Sequence, residues 1–269
     1  MKETRFELIF PANEVLIGKT LNTNGRWMAK RITSLGGKVV RFTVVQDDVG
    51  VISATMRRAA KRSNVIIVSG GLGPTYDDKT LQGLGEAINK ALRLDTKALG
   101  MIKEKYRKIQ EKGVIKNATI TDHRKKMAML PEGSIPLPNP LGSAPGVYAE
   151  YEGARIICLP GVPSELKAIF EESVVPIIRK MVKGAIFAEE SFVLEEIVES
   201  ELAPLIEQAM SRDSYVYIKS HPLGYEGISK VIIHITATGD EDVKMRVRRA
   251  SDFLKRELIR RGGKIKEES

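Results

Sequence analysis

Residues 65–80 read VIIVSGGLGPTYDDKT, and here residue type and spacing point most directly to chemistry. An apolar, β-branched run ends at Ser69, and Gly70, Gly71 and Gly73 follow it. Glycines let backbone N–H groups approach an anion closely. The spacing is neither that of the lysine-bearing phosphate loop nor that of the dinucleotide fingerprint, so the glycines define only a phosphate or nucleotide cradle. Asp77, Asp78 and Thr80 come next, at the expected start of a helix. Capping that helix is one role for Asp78. Coordination is the other: carboxylates beside a phosphate cradle repel a polyanion unless a cation lies between them. A hard cation such as Mg²⁺ takes one or two carboxylates plus substrate phosphates. The combination spells metal-assisted phosphoryl or pyrophosphate chemistry.

Two further segments carry the same residue types. Asp47 and Asp48 follow the strand ending at Val45, and Asn13, Glu14, Asn22 and Asn24 follow the first strand. Singly, each is explained by turn chemistry or capping. If the strands are parallel, all these segments lie on one rim with the glycine loop, and amides and carboxylates converge there. The other candidates are bland. His123, His221 and His234 form no metal pair by spacing, and Cys158, within an apolar run, reads as a small buried thiol. Trp27 belongs in the core or at an interface, and the literal G-x-x-G at residues 224–227 reads as a hairpin turn.

Elements that could position these residues alternate along the first two-thirds of the chain. Strands are expected at 6–10, 38–45, 65–69 and 155–159. Each is followed by a turn and a helix, as in β-α units around a mostly parallel sheet. Asn22 or Asn24 can cap a helix ended by Gly36 and Gly37, and Asp47 or Asp48 one reaching Arg62. Helical patterns cover 78–92, 96–111 and 118–127, and a hairpin turns about Glu152 and Gly153. Residues 131–146, with five prolines and three glycines, form a long structured loop folded against the domain. Beyond Gly184 the pattern becomes β-α-β-β-α, a compact α+β unit, which sets domains of 1–185 and 186–269.

In order along the chain, NEVLIGKTLNTNGRWMAKRITSLGG, VVQDD, VSGGLGPTYDDKT, MAMLPEGSIPLPNPLGSAPG and LPGVPSE resemble the molybdopterin-binding (MoaB/Mog) domain family. The likeness is to the branch found at the N-terminus of CinA. It implies a three-layer αβα domain with a mostly parallel sheet and a ligand groove lined by the glycine loop. By position, Gly70, Gly71, Gly73, Asp78 and Thr80 match the ligand loop, and Asp47 and then Glu14 and Asn24 match the acidic turns. Asn139, Pro140, Gly142, Gly161 and Pro163 match loops expected to close the groove. The resemblance implies hydrolysis of ADP-ribose or related nucleotide pyrophosphates, FAD among them, with a divalent cation (Mg²⁺, Mn²⁺ or Co²⁺) held by Asp78 and Asp47. Binding or adenylylation of molybdopterin is the alternative, and a homo-oligomer, in first place a dimer, the implied assembly. Two departures stand out: Ala12 replaces a usual glycine, and the nicotinamide-mononucleotide deamidase domain of full-length CinA has no counterpart here, so deamidation is not expected. Residues 190–261 resemble CinA's small KH-like module, chiefly in topology.

The chain has 269 residues, a formal charge of +9, 42% hydrophobic residues and one cysteine. That composition builds a globular core and leaves no intrachain disulfide framework, so a reducing, cytoplasmic setting is expected. No apolar run reaches the ~18 residues of a membrane helix. Basic residues are mostly interleaved with acidic ones, the pattern of solvated helix faces. The densest basic stretch, 244–261, carries apolar residues at helical spacing and reads first as a docking helix. Nucleic acid is therefore not an expected partner, although a nucleic-acid-associated module is the non-enzymatic alternative.

Overall fold

A computed structural model describes residues 3–182, 184–197, 199–223, 230–239 and 241–267. The chain divides into two compact units, Met1–Thr33 with Gly37–Val182, and Ser34–Gly36 with Lys183–Ser269.

The larger unit is built on a six-stranded sheet. Its strands are β1 (Arg5–Pro11), β2 (Lys38–Val45), β3 (Val65–Ser69), β6 (Ile135–Leu137), β7 (Gly146–Tyr151) and β8 (Ala154–Leu159), in the order β2-β1-β3-β8-β7-β6. β2, β1, β3 and β8 are mutually parallel, and β7 and β6 are added antiparallel. All five residues of β3 are buried, as expected of a central strand covered on both faces. Ile66 and Val68 point into a core with Ile52 and Met56 of α3 (Val49–Ala60) and Leu84 of α4 (Thr80–Ala87). On the opposite face Phe6 and Phe10 meet α2 (Thr23–Ser34) at Ile32 and Gly25. Helices α7 (Pro163–Ile169) and α8 (Val175–Val182), joined by a π-helical turn at Phe170–Val174, complete that side. Trp27 packs edge-on against Phe170, with ring centroids 5.2 Å apart. The resulting αβα layering is the fold class expected from the sequence.

Caps and turns explain most boundaries. Asn22 accepts from the Gly25 N–H to start α2, and Asp48 from the Val51 N–H to start α3. The β7–β8 hairpin turns at Glu152 and Gly153, both at positive φ (48° and 79°), as a two-residue primed turn demands. Three expectations need correction. The helix expected over 78–92 is only α4: Asp78 is held back by Thr75, and Asn89, at φ 55°, ends it. β4 (Leu92–Leu94) then pairs with β5 (Met129–Pro131). α5 (Thr96–Glu111) matches its pattern, but the helix expected over 118–127 is α6 (Asp122–Lys126), started by Thr121. The loop over 131–146 contains the end of β5 and all of β6.

The smaller unit comprises β9 (Ile186–Glu195), α9 (Glu199–Arg212), β10 (Val216–Pro222), β11 (Lys230–Gly239), α10 (Val243–Arg260) and β12 (Lys264–Glu267). Its antiparallel sheet runs β10-β11-β9-β12, one strand more than the sequence pattern indicates. This is the split β-α-β plan. Its own core gathers Phe192, Leu194, Ile233, Ile235, Leu254 and Leu258. The G-x-x-G turn at 224–227 lies outside the described residues.

Candidate functional site

From β1 the chain crosses to β2 on one side, while β3 lies on the other, so the strand order reverses between β1 and β3. Ligands of open α/β sheets bind outside the carboxyl ends of strands at such a switch point. Here the loops after β1, β2, β3 and β8 surround a cleft of about 400 Å³. Gly70, Gly71 and Gly73 form one wall and Gly161 another, and Ser143 and Ala144 of the proline-rich loop close a third side. The carboxylates of Glu14, Asp47, Asp77, Asp78 and Glu165 line it; among the described residues no lysine or arginine does.

The glycine loop is fixed from behind. Gly70 and Gly71 sit at φ 115° and 68°, where other residues are strained. Thr80 is fully buried; its hydroxyl donates to the Gly70 carbonyl (2.7 Å) and its N–H to that of Gly71 (3.1 Å). A Cβ on Gly71 would run into that hydroxyl. Thr80 thus clamps the loop rather than facing the cleft.

Asp78 does not cap α4. Its Oδ2 accepts from the Thr75 N–H (2.8 Å) and from the Thr75 hydroxyl (2.6 Å), which also lies 2.5 Å from Asp77 Oδ1. A hydroxyl carries one proton. Two carboxylates therefore share one donor, with Lys126 and Lys79 supplying positive charge nearby. The Thr75 hydroxyl holds the Asp77 carboxyl below its ordinary range, helped by Lys126 and Lys79. Across the cleft, Asp47 and Asn13 exchange bonds: the Asn13 N–H donates to the Asp47 carboxylate (2.9 Å) and the Asp47 N–H to the Asn13 side chain (3.3 Å). Burial pushes the Asp47 carboxyl up. The Asn13 N–H opposes this, the charges of Glu14 and Asp77 add to it, and Lys79 subtracts. Among the described residues no three His, Cys, Asp or Glu side chains gather as a closed metal cage. The donor set suits a hard cation held by one or two carboxylates and otherwise by ligand oxygens and water.

The remaining expected residues stand one step back. Asn24 borders a hollow beside the cleft, where its amide N–H donates to the Gly161 carbonyl (2.8 Å) and the Ser69 hydroxyl (3.2 Å), tying α2 to two cleft loops. Its Oδ1 is buried without a partner. Pro163 opens α7 on the same hollow. Asn139 spends its side chain on its own loop and on Glu165: it accepts from the Leu141 and Gly142 N–H groups and donates to the Ala144 carbonyl and Glu165 (2.7 Å). A Cβ on Gly142 would displace the Glu165 carboxylate from its place beside Asn139. Asn139, Pro140 and Gly142 line a neighbouring hollow, where Lys105 donates to the Pro140 carbonyl. Ala12 sits in extended backbone (φ −167°), so no glycine is required before Glu14.

The residues that sequence reasoning missed are Thr75 and Glu165. Glu165 stood in LPGVPSE, and one signal for it was the Asn-x-x-Gly of the preceding loop, which needs a partner. The structure also joins what spacing kept apart. His221 and His234 stack edge-on across β10 and β11, ring centroids 5.2 Å apart. Cys158 is fully buried, its thiol pushed up to about 12 by burial, so it is inert. Among the described residues no helix is long and apolar enough to cross a membrane.

Comparison with known proteins places this architecture. The family model described as "Probable molybdopterin binding domain" matches residues 8–180. A protein of Sulfurisphaera tokodaii is 42% identical, over 96% of this chain and 97% of its own. One of Pyrococcus horikoshii is 43% identical over 84% and 88%. Among solved structures, the protein CinA of Thermoplasma acidophilum, titled as of unknown function, superposes with a TM-score of 0.59 and 37% identity, over 68% of this chain and 99% of that one. The chain belongs to the molybdopterin-binding domain family, and its likeness within that family is to CinA.

Proposed function

We propose that the larger unit is a divalent-metal-dependent hydrolase of nucleotide pyrophosphates, ADP-ribose or a close analogue. The observation that carries this reading is the charge of the cleft: among the described residues five carboxylates and no lysine or arginine line it beside the glycine loop, while Lys126 lies in the hollow behind that loop. A pyrophosphate entering alone would be repelled, so the ligand must arrive with a cation. When bound, that cation neutralises the phosphates and lowers the pKa of water. Asp78 and Asp47 would hold it, with the Asp78 carboxylate kept in place by Thr75. N–H groups of Gly70 to Gly73 orient the phosphates, and Glu14 and Glu165 border the rest of the ligand. Hydrolysis adds water across the pyrophosphate bond and gives AMP and ribose 5-phosphate.

The test is AMP release from ADP-ribose, FAD, NAD and ATP with Mg²⁺, Mn²⁺ or Co²⁺, comparing the wild-type protein with Asp78→Asn. The expected result is metal-dependent turnover falling more than about 100-fold in the variant, with an unchanged circular dichroism spectrum. Full activity in Asp78→Asn removes that residue from the mechanism. No turnover with any metal overturns the hydrolase reading and sends the cleft to a binding role, for which a bound pterin would be sought by fluorescence and mass.

A further inference from the structure

The smaller unit segregates charge. From residue 183 onward it has 14 basic against 16 acidic residues, yet α10 alone carries seven basic and two acidic ones. α10 turns Val243, Val247, Ala250, Leu254 and Leu258 inward. Arg246, Arg249, Phe253, Arg256 and Arg260 recur at i, i+3, i+7, i+10 and i+14 and so share one stripe, about 21 Å long at 1.5 Å per residue. Arg212 of α9 faces that stripe across a groove of about 360 Å³, which Arg246, Arg249 and Arg256 also line, together with Asp213 and Asp252.

Ion-pairing does not account for these cations. Arg246 is bonded to Asp213 (3.0 Å), and Arg260 lies 2.9 Å from Glu257. Arg249 and Arg256 are exposed and, among the described residues, meet no carboxylate; the Arg256 Nε donates only to the Asp252 carbonyl one turn back. Arg212 sits over the Phe253 ring, 3.8 Å from its centroid, which shields the ring, while the Arg212 side chain remains exposed. Planar guanidinium groups match phosphate oxygens two at a time. A stripe repeating along a helix suits a ligand whose phosphates also repeat. A mononucleotide would need its cations to converge on one point, and here they are strung out.

We propose that the α9–α10 groove is a nucleic-acid backbone site, gripping successive phosphates through Arg249, Arg256 and Arg212. Arg212 covers the Phe253 ring, and contacts to phosphates carry no sequence information, so binding through these arginines is independent of sequence. About three neutralised phosphates give a log–log salt slope near −2 on single strands and near −3 on duplex.

Fluorescence anisotropy with labelled 16-mers, single-stranded and duplex RNA and DNA, tests this on the full chain between 50 and 200 mM salt. The expected result is binding at 50 mM salt that is at least tenfold weaker in Arg249→Ala/Arg256→Ala, with a salt slope shallower by about one to two. Thermal melting of the variant stays at the wild-type temperature, and Arg249→Lys/Arg256→Lys recovers part of the affinity. No binding at 50 mM salt overturns the proposal, as does binding that the double alanine variant leaves unchanged. Retention on anionic phospholipid vesicles without nucleic-acid binding overturns it as well and reassigns the stripe to a membrane surface.

Discussion

A carboxylate at the edge of a cleft can serve the fold or the ligand, and its hydrogen-bond partners tell which. Asp48 is saturated by a cap, whereas Asp47, one residue earlier, keeps a partly buried charge near Glu14 and Asp77. Its raised pKa means that the native state holds the Asp47 proton more tightly than the unfolded chain. Stability contributed by that proton is present at low pH and is lost as pH climbs from the ordinary carboxylate value, about 3.9, through the folded one. Asp47→Asn, which cannot ionise, therefore melts at a higher temperature than wild type at pH 7 in EDTA, and the gain disappears near pH 3.5. Saturating Mg²⁺ narrows the same gap by neutralising the wild-type site. Thermal melts at the two pH values decide it: a gain that ignores pH would come from packing, and Asp47 would then not be a poised metal ligand.

At the scale of elements, β1 is pinned to the turn after α3 by a buried charge. Glu7 is fully buried and receives both Arg62 Nη2 (2.6 Å) and Arg62 Nε (3.0 Å), with the Ser63 hydroxyl nearby (3.4 Å). Arg62→Ala would strand that carboxylate, at a cost of about 3–5 kcal/mol. Glu7→Gln keeps acceptor and shape, so its urea midpoint falls less than that of Arg62→Ala; the reverse order would show the charge to be unimportant. β1, β3 and β8 were legible in the sequence because buried parallel strands are short apolar runs bounded by turn residues, and β2, an edge strand with only Val45 buried, through its β-branched residues. So were α2, α3 and α5, which open on Asn22, Asp48 and Asp95, and the glycine loop itself. What the sequence hid was long-range. β5 pairs with β4 far upstream, β6 pairs with β7 across the proline-rich loop, and the His221–His234 contact depends on strand register; the exception is the local turn by which Thr75 folds Asp78 back from α4, where an Asp before a helix reads as a cap. The clamp by Thr80 and the Asn139–Glu165 bond likewise join residues that no local pattern couples. That is why Thr80 and Asn139 read as ligand residues and prove to hold the walls.

Over the whole molecule, each unit has its own core and its own charge pattern, an acidic cleft in one and a basic stripe in the other. Separate cores allow separate unfolding transitions, and a ligand that binds only the native form of one unit stabilises that unit alone. At 100 times its dissociation constant a ligand adds about 2.7 kcal/mol. For a unit the size of the larger one this raises its melting temperature by about 5–10 °C. Scanning calorimetry should therefore resolve two transitions, with ADP-ribose plus Mg²⁺ raising one and leaving the other fixed. A short duplex at low salt should do the opposite. A single cooperative transition moved by both ligands would show instead that the cores unfold together, and binding at the cleft would then be linked to binding at the stripe through shared stability.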